Sequence, residues 1–157
     1  MSKVRFVTIL IICCILSCKF SSNVDSRMLI VTTNPNEKII GIYKPDENTI
    51  KNIKGYNSKM NPYFKIKKEG LFEYNQIPVS ILDFPEEFNN NDTTINGIGT
   101  WEINKTKKFI ELNLNFNLND SNMFNTPLPV YERNNKYIIY YPVSDFDKKT
   151  GAVFIQQ

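Results

Sequence analysis

The chain has 157 residues, 41% of them hydrophobic and 13% aromatic, with a formal net charge of +3. It contains no histidine, which removes the commonest general base near neutral pH and the commonest zinc ligand. It carries no continuous basic block of the kind that binds nucleic acid, no glycine-rich phosphate loop and no dinucleotide fingerprint, so neither a nucleic-acid partner nor a cofactor is expected.

Lys3 and Arg5 open the chain, and residues 6–16 are almost wholly apolar. A basic start before a short apolar run is a secretory leader, since a bilayer-crossing helix needs roughly 20 such residues. Ile15-Leu16-Ser17-Cys18 ends the run and resembles the bacterial lipobox. That resemblance implies cleavage before Cys18, a diacylglycerol on its thiol and an acyl chain such as palmitate on its amine. Two or more chains make anchoring stable, where one does not. Cys13 and Cys14 would leave with the leader, so no disulfide, thiol nucleophile or cysteine-bound metal is expected. Lys19, not Asp, follows Cys18, which favours the outer over the inner membrane. Residues 1–17 are therefore expected to be a signal peptide. Residues 18–36 are the lipidated cysteine and tether, with room for a short strand at 28–33, and 37–157 form a single β domain. Loss of Lys3 and Arg5 brings the net charge close to neutral.

Asn34-Pro35-Asn36 breaks the chain after the first apolar run, and residues 39–43 form the next strand candidate. Pro45 with Asp46 and Glu47 starts a short helix over 46–54, on the spacing of Ile50 and Ile53, and Gly55 ends it. Residues 63–67 alternate Phe64 and Ile66 with Lys65 and Lys67. Lys68-Glu69-Gly70 then turns the chain into 71–74, predicting a hairpin. Lys65, Lys67 and Lys68, the densest basic cluster, read as the wet side of that hairpin. Pro78 confines the following residues to an edge or an irregular element, and residues 86–96 form the longest loop. Residues 97–104 are a strand around Trp101. Residues 109–116 alternate Ile110, Leu112, Leu114 and Phe116 with polar residues, as a half-buried antiparallel strand does. Residues 118–128 are polar and bounded by proline, which reads as a loop. Residues 130–133 and 137–141 flank Asn134-Asn135 as a second hairpin, and 152–155 are the last strand. Seven or eight short strands with one short N-terminal helix and no βαβ unit predict a mainly-β fold: a small antiparallel barrel or a strongly curled sheet.

Gly41-Ile42-Tyr43, the hairpin at Glu69-Gly70-Leu71-Phe72, Gly99-Thr100-Trp101 and the ending Asp145-Phe146-Asp147 with Gly151 and Phe154 together resemble small Bacteroidetes-type lipoproteins with lipocalin-like domains. Leu71 stands where that pattern usually has a polar residue. The resemblance spans roughly residues 39–155. It implies a lipid-anchored, barrel-like domain with no established catalytic residues.

Trp101, the lone tryptophan, either fills the core with its indole N–H paired or stacks a ligand at a barrel mouth. Tyr131, Tyr137, Tyr140 and Tyr141 cluster late in the chain, and Tyr140 and Tyr141 must point to opposite faces of one strand. Trp101, Tyr131, Tyr140 and Tyr141 are the candidate ligand or partner contacts. Asp145 and Asp147 have the first spacing of a calcium loop but no distal Glu, and read as turn carboxylates. Asp92-Thr93-Thr94 resembles an O-glycosylation acceptor within a polar loop. Glu69, Glu73, Glu102 and Glu111 would need to face one another across a cleft to act as a glycosidase pair, and no serine has a histidine to activate it. A non-enzymatic role is expected. The leading expectation is an envelope lipoprotein that binds a small apolar ligand or a protein partner, in a hollow interior or on an aromatic patch beside the long loop. The alternative is a structural or protective, inhibitor-like envelope lipoprotein without a ligand cavity.

Overall fold

The computed structural model describes residues 28–53, 55–57, 59–82, 94–119, 122–142 and 151–157. The leader, Cys18, most of the long loop and the Asp145–Asp147 segment lie outside the described residues, as do Asp92 and Thr93.

The described residues hold nine strands: β1 Leu29–Ile30, β2 Gly41–Pro45, β3 Tyr63–Ile66, β4 Leu71–Pro78, β5 Thr94–Lys105, β6 Ile110–Asn119, β7 Asn122–Arg133, β8 Lys136–Pro142 and β9 Gly151–Gln156. From β2 to β9 each strand pairs with the next, and β9 returns to β2 through Tyr43↔Gln156 and Lys44↔Ile155. The result is a closed eight-stranded up-and-down antiparallel barrel, lipocalin-like in form, with β1 as one extra strand. Closure leaves few edges to template association. Every pairing that closes it lies within residues 41–156.

The inward side is set by strand alternation. Phe64, Phe72, Tyr74, Phe116, Tyr141 and Phe154 are each at most 2% exposed. Their rings meet at centroid distances of 4.7–6.4 Å. Two glycines make room for them. Gly99 pairs with Phe72 and Gly97 with Tyr74. A Cβ at Gly99 would come within 2.4 Å of the Phe72 ring and 2.2 Å of the Asn115 carbonyl oxygen, and one at Gly97 within 2.4 Å of the Tyr74 hydroxyl. A bulge between Tyr74 and Ile77, with Gln76 at φ 50°, returns Ile77 to the inside.

One end of the barrel is closed by a 3-10 turn at Asn36–Ile39, within the region where only a strand had been expected from residue 39 on. Ile39 is buried beneath it, and the Tyr43 hydroxyl donates to the Ile39 carbonyl at 2.6 Å. The Gln156 amide donates to the carbonyls of Lys38 and Ile40. Helix α1, Glu47–Asn52, lies at the opposite end, within the expected 46–54; Asp46, expected inside its first turn, is instead its N-cap and accepts from Thr49 N–H. Its Thr49 hydroxyl accepts from Val153 N–H and continues the edge of β9 past the end of β2.

Residues 118–119 and 122–128, expected to be loop, are strand. β6 runs to Asn119 and β7 takes in Pro127 and Pro129. Proline removes a ladder donor only where that donor is needed. Pro127 and Pro129 pair with Asn113 and Glu111 of β6, whereas β8 joins β7 only over Val130–Arg133. The second edge of β7 is thus free of β8 at both prolines. Asn134 and Asn135, at φ 54° and 60°, form the tight turn of the β7–β8 hairpin, with both residues left-handed as a type I′ turn requires.

Gly99→Ala is expected to destabilise the barrel by about 2–3 kcal/mol, the range for overpacking against atoms that cannot give way. A shift of the urea midpoint at constant slope measures it. An unchanged midpoint would show that the Phe72 ring is not fixed against β5.

Candidate functional site

The four aromatic candidates do not form one site. Tyr141 points inward and is 2% exposed. Tyr140, its neighbour, points outward, as alternation along one strand demands. Outside, Tyr140 meets Tyr131 edge to face at 6.1 Å and lies over Gly151, where a Cβ would come within 2.2 Å of its ring. Ile30 and Ile138 stand opposite Tyr131 on either side. Tyr131, Tyr140, Ile30 and Ile138 thus share one outer face of the barrel.

Trp101 is partly buried against the core with its indole N–H paired, the first of the two expectations for it. Its Nε1–H donates to the Lys67 carbonyl at 2.8 Å while its backbone N–H donates to Gly70 at 2.7 Å. These bonds fix the indole against the β3–β4 turn, where Glu69 and Gly70 have φ 65° and 72°. Beside it opens a groove of about 380 Å³ lined by Glu37, Ile40, Lys68, Glu69, Gly70 and Trp101. The Lys68 ammonium reaches the Glu37 carboxylate at 3.5 Å, joining the 3-10 turn to the hairpin turn across the groove. Both side chains are largely solvated, so the pair contributes little stability and yields readily to an incoming polar group. The groove lies at the opposite end of the barrel from Pro78 and Thr94, between which the long loop runs.

Inside the barrel, by contrast, the crevice between Ile39, Tyr43, Leu128 and Ile139 has no room for a water molecule. Among the described residues the phenol hydroxyls of Tyr56 and Tyr141 are buried without a hydrogen-bond partner. Burial pushes the Tyr141 phenol well above its ordinary range, and the nearby Tyr56 adds to the shift. Burial likewise raises Tyr43 and Tyr56.

The carboxylates considered for glycosidase chemistry are spread over turns and the outer surface. Glu73 accepts from the Tyr63 hydroxyl and pairs with Lys67 at 2.8 Å; the Lys67 bond and the Tyr63 bond hold its carboxyl below the usual range. Glu102 accepts from Asn113 on the outer face of β5 and β6. Among the described residues no cluster of three or more His, Cys, Asp or Glu could hold a metal. Glu37, Ile40 and Lys68 were missed as groove residues because the 3-10 turn that brings two of them to Trp101 leaves only Pro35 as a sequence sign. No protein-family model matches the chain, and no curated protein or solved structure matches it.

Two substitutions separate paired from unpaired phenols. Tyr141→Phe is expected to leave stability unchanged or raise it slightly, because the hydroxyl it removes has no partner. Tyr43→Phe is expected to cost about 1 kcal/mol for the lost bond to Ile39. Equal effects in chemical denaturation would contradict the assignment. Since the folded-state values of Tyr43, Tyr56 and Tyr141 are raised, the unfolded chain ionises first. Their stabilising contribution is full below pH about 10 and is lost as pH rises beyond it. Tyrosinate absorbance that appears for these residues near pH 10 with no accompanying unfolding would contradict the burial.

Proposed function

We propose that the protein is a non-catalytic binding module of a bacterial envelope, held to the outer membrane by lipid on Cys18, which meets its ligand or partner on the outside of the barrel. The observation that carries this reading is the groove of about 380 Å³ beside a hydrogen-bonded indole. Ligand sites start at about 300 Å³ and combine an apolar surface with a few fixed polar groups. Trp101 and Ile40 supply the first, and Glu37, Glu69 and Lys68 the second. A small amphipathic molecule, or a protruding side chain of a protein partner, suits that lining better than a long apolar ligand enclosed in the lumen, where the aromatic rings already pack.

The second reading, a structural or protective envelope lipoprotein without a ligand cavity, is favoured by the packed rings and by the outward Tyr131–Tyr140 pair, which suits a flat protein interface.

Trp101 is the sole tryptophan, so its fluorescence reports directly on the groove. Titration with envelope extracts fractionated by size is expected to shift its emission saturably. Trp101→Phe is expected to weaken binding of the active fraction at least tenfold by calorimetry. Binding that survives Trp101→Phe but is lost on Tyr131→Ala with Tyr140→Ala would move the function to the outer face and support the second reading. Separately, Cys18→Ala is expected to abolish metabolic labelling with radioactive palmitate. Labelling that persists would refute the anchor.

A further inference from the structure

Although the basic residues are dispersed along the sequence, the fold collects them. The 3-10 turn and the β3–β4, β5–β6 and β7–β8 turns lie at one end of the barrel, because β2 to β9 alternate in direction, and β1 joins them there by pairing with the last residues of β7. Exposed lysines stand at these turns: Lys38 in the 3-10 turn, Lys68 after β3, Lys105 at the end of β5, Lys107 and Lys108 between β5 and β6, and Lys136 at the start of β8. The exposed carboxylates at the same turns are Glu37 and Glu69. Lysines outnumber acids here on a chain whose overall excess is only +3.

The tether arrives at this end. β1 pairs Leu29 with Glu132 and Ile30 with Tyr131, beside the β7–β8 turn. Val31 then bridges β7 and β6, donating to Val130 and accepting from Ile110 at 2.8 Å each. Leu29 is 71% and Ile30 42% exposed. Between Cys18 and Met28 the chain can span at most roughly 35 Å when fully extended, so a lipid on Cys18 would keep this end within reach of the bilayer.

We propose that the tether end of the barrel is a membrane-facing surface that rests on anionic phospholipid headgroups, its lysines against the phosphates and Leu29 and Ile30 at the interface. Each lysine within a Debye length of such a surface strengthens attachment about fivefold, and added salt screens it. The membrane setting rests on the anchored reading of Cys18, but the surface itself is assayed without any acyl group.

Residues 27–157, which hold every pairing of the barrel, are mixed with vesicles of phosphatidylcholine alone or with about one-third phosphatidylglycerol, and partition is read by co-sedimentation. Partition into the anionic vesicles is expected to be at least tenfold greater and to fall away in high salt. Lys105→Gln with Lys107→Gln and Lys108→Gln is expected to lower it at least tenfold. Lys44→Gln with Lys51→Gln and Lys59→Gln, away from this end, is expected to leave it unchanged. Equal partition into both vesicles, salt-insensitive binding, or the same loss from both triple variants would overturn the proposal. The first two results need no variant, so a misfolded triple variant does not shelter it. Tighter binding to a DNA oligonucleotide than to the anionic vesicles would also overturn it, by assigning the lysines to nucleic acid. Failure here leaves lipidation at Cys18 standing, and loss of palmitate labelling at Cys18 leaves this surface standing.

Discussion

Phe72 and Tyr74 enter the barrel directly opposite Gly99 and Gly97, and most of the architecture follows from that contact. A side chain at either glycine would collide with the ring across from it. With the glycines in place, rings from β3, β4, β6, β8 and β9 converge edge to face in the middle of the barrel. Such rings carry large apolar area and add about 0.5–1.5 kcal/mol per pair beyond burial. Eight strands give an interior that side chains can just fill. The closed meander, the 3-10 plug at one end and the helix at the other then position what remains on the outside.

This packing decides where function can lie. With aromatics in the middle and a dry crevice below them, the described surfaces that could meet other molecules include the Trp101 groove, the outer face around Tyr131 and Tyr140 and the lysine-rich end. The groove exists because the β3–β4 hairpin turns early, at Lys68–Gly70, while β5 runs on to Lys105. The indole is left beyond the shorter hairpin, held by backbone bonds yet open on one side.

Much of the fold was legible in the sequence, for physical reasons that can be named. The alternation at 109–116 needs one wet and one buried face and yielded β6. Glycine and asparagine in positive-φ turns marked both predicted hairpins, and Pro45 with Asp46 and Glu47 marked the start of α1 to within two residues. Pro127 and Pro129 misled, because proline argues against a strand unless the neighbouring strand has yet to join, and that is a property of register across the barrel. The 3-10 turn at Asn36–Ile39 is stabilised by Tyr43 and by Gln156, over a hundred residues away, and so left little local trace. The site was less legible. The separation of Tyr140 from Tyr141 follows from strand geometry alone. The pairing of Trp101 with Glu37 and Lys68, and the gathering of scattered lysines at one end, depend on which turns the meander sets side by side.

The packed rings lead us to propose that the barrel binds on its surface and not in its lumen. A naturally fluorescent fatty acid titrated into residues 27–157 tests it directly, because such a probe binds one to one wherever a hollow apolar lumen exists. The account predicts no saturable binding. One-to-one binding with a Kd of about 1 μM or tighter, some 8 kcal/mol of affinity, that is unchanged by Trp101→Phe would contradict it by placing a ligand where the rings of Phe64, Phe72 and Phe116 now meet.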